Sequence, residues 1–278
     1  MAVFFGTVNI SGRLSRTATS SNYTQINSAV IDSWVDGGWV WGVPISHETF
    51  LDAQQGRWSV LLTPAKPVPV EWFAPFLAGG RLDSVSLLGL ASGGGQQMPV
   101  FAALGAICTV LDNSARQLAS EHLVATREGY AIETVKADMT KRLPFDDESF
   151  DMIFHPVSNC YVEDVYHVWN ECFRVLKPGG VLLAGVDNGL AYLFDEAVNP
   201  LLVVNPLPYN PIRDAALYEK LIGQGEDSIQ FSHTVEEQIG GQLKAGFTLT
   251  DLFEDSDETV IGTYVPLFIA TRAIKPRA

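Results

Sequence analysis

A doubly wound α/β fold is predicted by the alternation of short apolar strands with helices between about residues 81 and 189. The strand-like segments read VSLLGL, ICTVLD, IETVKAD, FDMIFH and GVLLAGV, and most are apolar enough to be buried on both faces of a parallel sheet. Short connections between strands and helices favour parallel crossovers. Two later segments, FTLTDLFE and YVPLFIATRA, flank the acidic run EDSDE, which we expect to be a solvated turn. They predict an antiparallel pair that completes the sheet.

The clearest helix predicted between the strands is DVYHVWNECFRVLKPGG. Its apolar residues recur at helical spacing and form one stripe, which indicates a helix packed against a core. The glycines and proline that follow are expected to stop it. The stripe consists of Val165, Val168, Trp169, Cys172 and Leu176.

Composition narrows the class of function. The chain has 278 residues, of which 47% are hydrophobic, so it can bury a substantial core. Its formal net charge of -14 argues against a non-specific nucleic-acid surface, although the basic ending TRAIKPRA leaves a local contact open. The three cysteines show no paired or metal-type spacing, and we expect reduced thiols, a cytoplasmic protein and no metal. No apolar run is long enough to span a bilayer, so no membrane partner is expected.

The region before the predicted sheet, residues 1–80, is expected to be an N-terminal arm followed by an aromatic and proline-rich cap. Its first 21 residues are rich in Ser and Thr and lack acids, which favours a polar arm over a transit peptide. Ser46 is a plausible N-cap for a short helix over residues 47–55.

The remaining residues, 81–278, are assigned to the main domain. Within it, residues 191–233 contain the proline-punctuated segment NPLLVVNPLPYNPI and are expected to form an insertion that covers the substrate. A helix is predicted over TVEEQIGGQLKAG, immediately before the two late strands.

The stretch LLGLASGGGQQM follows the first strand and contains four glycines, which allow a ligand to approach the main chain. A phosphate-binding P-loop requires Lys and Ser or Thr after its last glycine, but Gln96 and Gln97 stand there. A dinucleotide-binding fingerprint requires glycines where this chain has Ala91 or Met98. The P-loop interpretation is excluded, and the dinucleotide interpretation is weak.

A third interpretation fits the residues better. GLASG, residues 89–93, resembles the glycine-rich turn of class I S-adenosylmethionine-dependent methyltransferases, with Ala91 at the middle position. LPFDDESFDMIFHPVSN and RVLKPGGVLLAG resemble the family's run into the fourth strand and its fifth strand, and the order of the pieces agrees. The resemblance covers about residues 82–190 and is closest to the methyltransferase-11 group. It implies a Rossmann-like, mostly parallel seven-stranded sheet with an antiparallel last strand, preceded here by the N-terminal cap.

The resemblance also implies a set of residues that bind S-adenosylmethionine. Asp112, at the end of the second strand, is expected to accept the ribose hydroxyls, and Asp138, after the third strand, to meet the adenine. Gln97 is expected either to satisfy amides at a helix start or to reach the methionine carboxylate. The complete predicted cofactor-binding set is Gly89, Leu90, Ala91, Ser92, Gly93, Gln97, Asp112, Asn113, Asp138, Met139 and His155.

Two features leave the chemistry open. Family members often carry an acidic residue two places before the first glycine to bind the methionine ammonium, and that place is Leu87 here. Methyl transfer from a sulfonium needs mainly alignment of the reacting atoms, and a general base only where the acceptor holds a proton. His155 and Asn159 are the candidates for such a role, because they follow the fourth strand at the ligand-binding edge of the sheet.

We therefore expect S-adenosylmethionine-dependent methyl transfer by in-line displacement to a small molecule or an unidentified macromolecule. Two alternatives are an NAD-dependent oxidoreductase and a non-catalytic regulator that binds S-adenosylmethionine. A third glycine near Met98 would favour the first, and cofactor binding without turnover would favour the second.

Overall fold

A computed structural model describes residues 22–195, 199–224 and 227–277 of the chain. The predicted N-terminal arm, residues 1–21, lies outside the described residues. The strands are β1 Ser86–Leu90, β2 Ile107–Asp112, β3 Glu133–Lys136, β4 Phe150–His155, β5 Leu176–Asp187, β6 Phe194–Asp195, β7 Asn199–Val203, β8 Thr248–Asp255 and β9 Phe268–Ile274.

Seven of these strands form one sheet, in the order β3-β2-β1-β4-β5-β9-β8. The first five run parallel to their neighbours, whereas β9 pairs antiparallel with both β5 and β8. The chain order reverses between β1 and β4, and such a switch point opens a crevice at the carboxyl ends of the strands. The predicted fold class, a doubly wound and mostly parallel sheet with an antiparallel last strand, is confirmed.

Helices cover both faces of the sheet and connect its strands. Those between the parallel strands agree with the predicted alternation, whereas the helix that opens the described chain and the helix over residues 215–224 were not foreseen in the sequence. The helices are α1 Tyr23–Asp36, α2 His47–Gln54, α3 Gln97–Ala103, α4 Ala115–Glu128, α5 Val165–Val175, α6 Ala215–Gln224 and α7 Gly241–Ala245, the last continuing a π-helical segment at Glu236–Gly240.

The predicted helix at α5 is confirmed, but it ends earlier than its apolar stripe suggests. Asp164 caps its first turn by accepting from the backbone amides of Tyr166 and His167. Its last residue is Val175, and Leu176 already has extended backbone angles and pairs with Phe150 of β4. Leu176 is therefore a buried strand residue rather than the last member of the helical stripe.

The cap is more regular than the sequence suggests. Helix α1 was not predicted, because its buried face includes the polar Asn27, whose side chain binds both backbone groups of Ile229. Helix α2 confirms the prediction at Ser46, whose hydroxyl accepts from the Thr49 amide at 3.1 Å. Two elements of the cap therefore hold fixed positions beside the sheet.

Aromatic residues of the cap belong to the same hydrophobic core as one face of the sheet. Phe73 packs against Phe101 of α3, which in turn packs against Phe154 of β4. Trp72 packs against Phe253 of β8 and donates its indole N–H to Asp251. Burial of these large rings fixes the cap against the sheet.

The segment predicted as an insertion begins with the two-stranded ribbon of β6 and β7 and continues into α6. Tyr218 and Leu221 of α6 pack beside Tyr23 of α1 and Phe231. The insertion thus meets the cap above the crevice. None of the helices in the described ranges has the length and apolar character to cross a bilayer.

Candidate cofactor and acceptor site

A cavity of about 1570 Å³ lies at the carboxyl ends of the parallel strands. Ligand pockets commonly measure roughly 300–1,000 Å³, so this one has room for a cofactor and a second molecule. Its wall combines the strand ends with α1, the predicted insertion and the loop between β8 and β9. Ligands of doubly wound sheets bind in this position, at the switch point of the strand order.

The turn after β1 starts two residues later than the sequence comparison suggested. Gly89 and Leu90 are buried residues of β1, paired with β2, and do not line the cavity. Gly89 instead packs closely against Met98, since a methyl group on Gly89 would lie 2.6 Å from the Met98 sulfur. Gly89 and Leu90 thus lie in the strand and not in the cavity wall, which differs from their predicted place in the cofactor-binding set.

The turn itself comprises residues 91–95. Ala91 has a φ of 48°, a left-handed conformation that favours glycine, and Ala91, Ser92 and Gly93 all line the cavity. The position two residues before this turn is Gly89 rather than Leu87, and neither carries a carboxylate. A partner for a ligand ammonium must come from elsewhere in the cavity.

The last two glycines of the turn face protein and not the cavity. A methyl group on Gly94 would lie 2.4 Å from the carbonyl oxygen of Trp41 in the cap. One on Gly95 would lie 2.8 Å from the carbonyl oxygen of Ser120 in α4. Both residues have positive φ angles, so the turn is held between the cap and α4 by close backbone contacts.

Asp112 is positioned at the cavity by the end of β2. Its Oδ2 accepts from the Gly93 amide at 3.1 Å and its Oδ1 from the Ser114 amide at 2.8 Å. Burial raises the pKa of Asp112 to about 6, against the lowering effect of these backbone hydrogen bonds. Each carboxylate oxygen can accept a further hydrogen bond, so Asp112 can still bind a ligand hydroxyl.

Helix α1 covers the neighbouring part of the cavity. The hydroxyl of Ser28 donates to the Asn113 carbonyl at 2.6 Å, and the Asn113 amide nitrogen donates to the Thr24 carbonyl at 2.8 Å. Asp32 accepts from the Ser114 hydroxyl at 2.6 Å, beside the start of α4. The loop after β2, including the predicted site residue Asn113, is thereby fixed against α1.

Asp138 and Met139 follow β3 and also line the cavity, as the prediction placed them. Asp138 accepts from the Thr140 amide at 2.9 Å, which holds the loop. Met139 is largely buried and supplies an apolar wall. This combination of one carboxylate and a thioether suits a flat heterocycle that has a polar edge.

Three polar atoms in the part of the cavity beside β1, β2 and β3 lack a hydrogen-bond partner among the described residues. They are Ser92 Oγ, Gln117 Oε1 and Thr140 Oγ1, and each belongs to a residue of the cavity wall. Buried polar atoms are normally paired, so unpaired ones beside a cavity fit a ligand rich in hydroxyl and amino groups. The residues present therefore fit an adenosine-containing cofactor.

Gln97 also lines the cavity, at the start of α3, but its carbonyl oxygen is already engaged. Gln97 Oε1 accepts from the Leu61 amide at 3.0 Å and ties the cap to the helix start. This bond links the cap to α3, a role not considered from the sequence, and contact of Gln97 with the methionine carboxylate stays a prediction.

His155 and Asn159 do not reach the cavity. Both are fully buried, His155 Nδ1 contacts the Leu90 carbonyl at 2.9 Å, and His155 Nε2 contacts Asn159 Oδ1 at 2.9 Å. Asn159 Nδ2 in turn donates to Gln238 Oε1 at 2.9 Å. Burial lowers the pKa of His155, against the raising effect of its hydrogen bonds with Leu90 and Asn159. The network uses the polar atoms of both residues internally, so the structure places neither of them in the cavity wall, where the prediction expected them.

A carboxylate that sequence reasoning missed lies at the end of β5. Asp187 lines the cavity, is 7% exposed, and accepts from the Gly189 amide at 3.0 Å. Burial raises the pKa of Asp187 to about 6. The signal was the Asp immediately after GVLLAGV, at the same strand-end position that drew attention to Asp112.

The relatives of the chain agree with this geometry. A family model described as a methyltransferase domain matches residues 88–184. The methyltransferase YbaJ of Bacillus subtilis (strain 168) is 41% identical over 253 residues, covering 90% of this chain and 97% of that protein. The chain belongs to the class I S-adenosylmethionine-dependent methyltransferases. It is thus a methyltransferase whose cofactor is S-adenosylmethionine, and the oxidoreductase alternative is set aside.

Solved structures share the fold of this methyltransferase at low sequence identity. An S-adenosylmethionine-dependent methyltransferase from Mesorhizobium loti superposes with a TM-score of 0.51 at 18% identity, covering 73% of this chain and 94% of that one. The 1,6-didemethyltoxoflavin-N1-methyltransferase of Burkholderia thailandensis gives 0.56 at 16% identity, covering 95% and 93%. That structure contains its acceptor and S-adenosylhomocysteine. At these identities the likeness supports the fold alone.

Proposed function

We propose that this methyltransferase transfers the methyl group to a small-molecule acceptor bound inside the cavity. The observation that carries the proposal is the size of the cavity, about 1570 Å³, together with its wall of cap, insertion and loop residues. A reacting group buried among these elements is accessible to a small molecule more readily than to a folded macromolecule. The net charge of -14 adds to the case against a nucleic-acid acceptor.

The cofactor is proposed to occupy the half of the cavity beside β1, β2 and β3. Asp112 would accept the ribose hydroxyls, while Asp138 and Met139 would contact the adenine. Ala91, Ser92 and Gly93 offer backbone and a free hydroxyl to the methionine end, and Gln117 Oε1 offers an acceptor for its ammonium. This last contact would replace the carboxylate that the chain lacks before the turn.

The bound cofactor supplies a methyl group on a positively charged sulfur, which is a good leaving group. The protein's contribution is to hold the acceptor in line with that group and to exclude water, which can lower a barrier by roughly 7–11 kcal/mol. The cap fixes the turn through Trp41 and Gln97, so the cofactor half is preorganised. The acceptor would enter from the side of β5 and the insertion.

Residues 191–233 are proposed to cover this acceptor half, in a main domain of residues 81–278 that the cap of residues 1–80 completes. Tyr192, Phe194 and Tyr209 of the insertion contribute rings to the cavity wall. Tyr192 and Tyr209 stack with ring centroids 5.4 Å apart. An aromatic wall of this kind suits an acceptor with an apolar or planar body.

We also propose a cytoplasmic location. Cys108, Cys160 and Cys172 are buried and unpaired, which suits a reducing compartment.

The proposed acceptor class can be tested with methyl-labelled S-adenosylmethionine and an extract of a Bacillus subtilis strain that lacks YbaJ. Label transferred by the purified protein should appear in the small-molecule fraction and fall strongly with the Asp112→Ala variant. Transfer into the protein or RNA fraction alone would contradict a small-molecule acceptor. The catalytically unrelated surface variant Asp83→Asn should label the same fraction as the wild type.

A further inference from the structure

The acceptor half of the cavity contains a carboxylate that the cofactor half does not use. Asp187 ends β5, and three strand spacings along the sheet edge separate it from Asp112 at the end of β2. Neighbouring strands lie roughly 4.8 Å apart, so the two strand ends are about 14 Å from each other. Asp187 is thus on the far side of the glycine turn from the proposed ribose site.

One oxygen of Asp187 is held by the protein and the other is not. Oδ1 accepts from the Gly189 amide at 3.0 Å, which fixes the carboxylate plane. Oδ2 is buried and has no hydrogen-bond partner among the described residues. Buried polar atoms are normally paired, so an unpaired carboxylate oxygen on a residue of the cavity wall can take its partner from a bound ligand.

The surroundings of Asp187 are apolar or neutral. Cys160, Tyr161 and Tyr192 are its titratable neighbours in the described part of the chain, and burial raises the pKa of all three. They therefore stay uncharged near neutral pH. The Tyr192 hydroxyl donates to Gln230 Oε1 at 2.8 Å, which leaves its ring available as a wall.

The charged side chains of the cavity wall are mostly acidic. Lys220 is the cationic side chain in the cavity wall among the described residues, and it is exposed at the rim. Against it stand seven carboxylates: Asp112, Asp138, Asp187, Asp195, Asp227, Asp257 and Glu258. A wall of this sign attracts cations and repels anions, because charges in a low-dielectric cleft are poorly screened.

We propose that Asp187 binds the nitrogen of a small organic amine and accepts its proton, so that the acceptor class of this methyltransferase is an amine with an apolar or aromatic body. The proposal rests on the proposed function, because it assumes that methyl transfer to a small molecule takes place in this cavity. It assigns a catalytic residue and a substrate class to the acceptor half.

The chemical step balances without a further reactant. The ammonium of the acceptor gives one proton to the Asp187 carboxylate, and the free nitrogen lone pair then attacks the methyl carbon. The new carbon–nitrogen bond forms as the carbon–sulfur bond breaks. The electron pair of the broken bond stays on the sulfur. The product leaves as a methylated ammonium beside S-adenosylhomocysteine, and Asp187 returns its proton to solvent.

The environment of Asp187 suits this exchange. Burial raises the pKa of Asp187 to about 6, so the group is ionised at pH 7 yet accepts a proton more readily than a surface aspartate. Tyr192 neighbours Asp187, and its ring stacks on that of Tyr209 in the cavity wall, so the two rings offer contact to an apolar body.

The test compares three fragments of one shape on the protein saturated with S-adenosylhomocysteine: benzylamine, benzyl alcohol and benzoate. Binding is measured by calorimetry at pH 7.5. We expect benzylamine to bind at least about tenfold more tightly than benzyl alcohol, since hydrogen bonds to charged groups are worth about 1.5–3 kcal/mol, and benzoate to bind most weakly. Equal affinity for benzylamine and benzyl alcohol would overturn the proposal.

Two variants locate the preference. Asp187→Asn keeps the shape and the bond from Gly189 but should lose the preference for benzylamine. Asp257→Asn removes another carboxylate of the same cavity, one that accepts from the Thr259 amide, and should change the preference by less than about threefold. A preference that survives in Asp187→Asn would assign it to the general charge of the cavity and overturn the role of Asp187.

A wild-type measurement covers the case in which Asp187→Asn does not fold. The preference for benzylamine should decline as the pH falls through about 6, because protonated Asp187 no longer attracts the ammonium. A preference that stays constant from pH 7.5 to pH 5 would overturn the proposal. The proposed function fails separately, because transfer of the label into the protein or RNA fraction alone would contradict it whichever fragment binds.

Discussion

The backbone amide of Gly93 donates to the carboxylate of Asp112 across 3.1 Å and so joins the turn after β1 to the end of β2. The same carboxylate accepts from the Ser114 amide at the start of α4. One side chain therefore fixes two of the loops that wall the cofactor half of the cavity. Its position agrees with the predicted cofactor site, although Gly89, the first glycine of the motif, lies in the strand and not in the cavity wall.

Replacing Asp112 by Asn should weaken cofactor binding. The variant keeps the shape of the side chain but loses one charged acceptor, and hydrogen bonds to charged groups are worth about 1.5–3 kcal/mol. We expect the affinity for S-adenosylhomocysteine, measured by calorimetry, to fall at least about tenfold. Asp83→Asn, at an exposed carboxylate paired with Arg81, should bind as the wild type does. Equal affinity in all three proteins would remove Asp112 from the site.

Glu121 of α4 contacts the turn after β1 and should make the stability of the protein depend on pH. Its Oε1 accepts from the Gly95 amide at 2.7 Å, and burial raises its pKa to about 8. A raised pKa favours the protonated form in the folded state, so the stability that this group contributes is lost as the pH rises from about 4.5 to 8.

Glu121→Gln should remove this dependence while retaining the acceptor for Gly95. We expect the free energy of unfolding of the variant, relative to that of the wild type, to rise by on the order of 3 kcal/mol from pH 5 to pH 9. Urea denaturation at each pH measures this difference. Glu71→Gln on the surface should show no such shift. A constant difference for Glu121→Gln would mean that the buried carboxylate does not titrate in this range.

Gly94→Ala should destabilise the protein through the contact between the turn and the cap. The added methyl would lie 2.4 Å from the Trp41 carbonyl oxygen, at a φ of 100°. Gly79→Ala is a matched control, since its φ is also positive but no atom lies within 4 Å of the added methyl.

The control should lose about 1–2 kcal/mol for backbone strain alone. Gly94→Ala should lose a further 1–3 kcal/mol or so from the clash, and part of its affinity for S-adenosylhomocysteine. Both are measurable by urea denaturation and calorimetry. Equal losses of stability in the two variants would show that the Trp41 backbone moves away from the added methyl group without a loss of stability.

His155→Ala should reduce stability and leave the cofactor site functional. The substitution leaves Asn159 and the Leu90 carbonyl without their partners in a buried network, which costs about 2–4 kcal/mol. Affinity for S-adenosylhomocysteine should stay within about threefold of the wild type. His122→Ala, at an exposed histidine of α4, should change stability by less than about 0.5 kcal/mol. A large loss of affinity with intact stability would return His155 to the ligand surface.

Local patterns in the sequence predicted much of the fold. The segments ICTVLD and FDMIFH match β2 and β4 residue for residue, because each apolar run is bounded by polar or turn-forming residues. The stripe of α5 was visible for the same reason. Helix α1 was missed because Asn27, a polar residue, occupies its buried face and pairs with the distant Ile229, a contact that no local pattern reveals.

The site was predicted in outline and corrected in detail. Asp112, Asn113, Asp138 and Met139 line the cavity, since strand ends in a parallel sheet share one edge. The turn was assigned two residues too early because Gly89 matches the motif but serves packing against Met98. The inward position of the His155 side chain depends on hydrogen bonds that involve Asn159 and Gln238. Only the folded chain brings these residues together.

A crystal structure of the complex with S-adenosylhomocysteine tests the central claim most directly. We expect the ribose hydroxyls within hydrogen-bond distance of Asp112, the adenine beside Met139, and the sulfur directed toward the acceptor half that contains Asp187. A ligand bound outside this cavity, or a ribose that does not contact Asp112, would contradict the account.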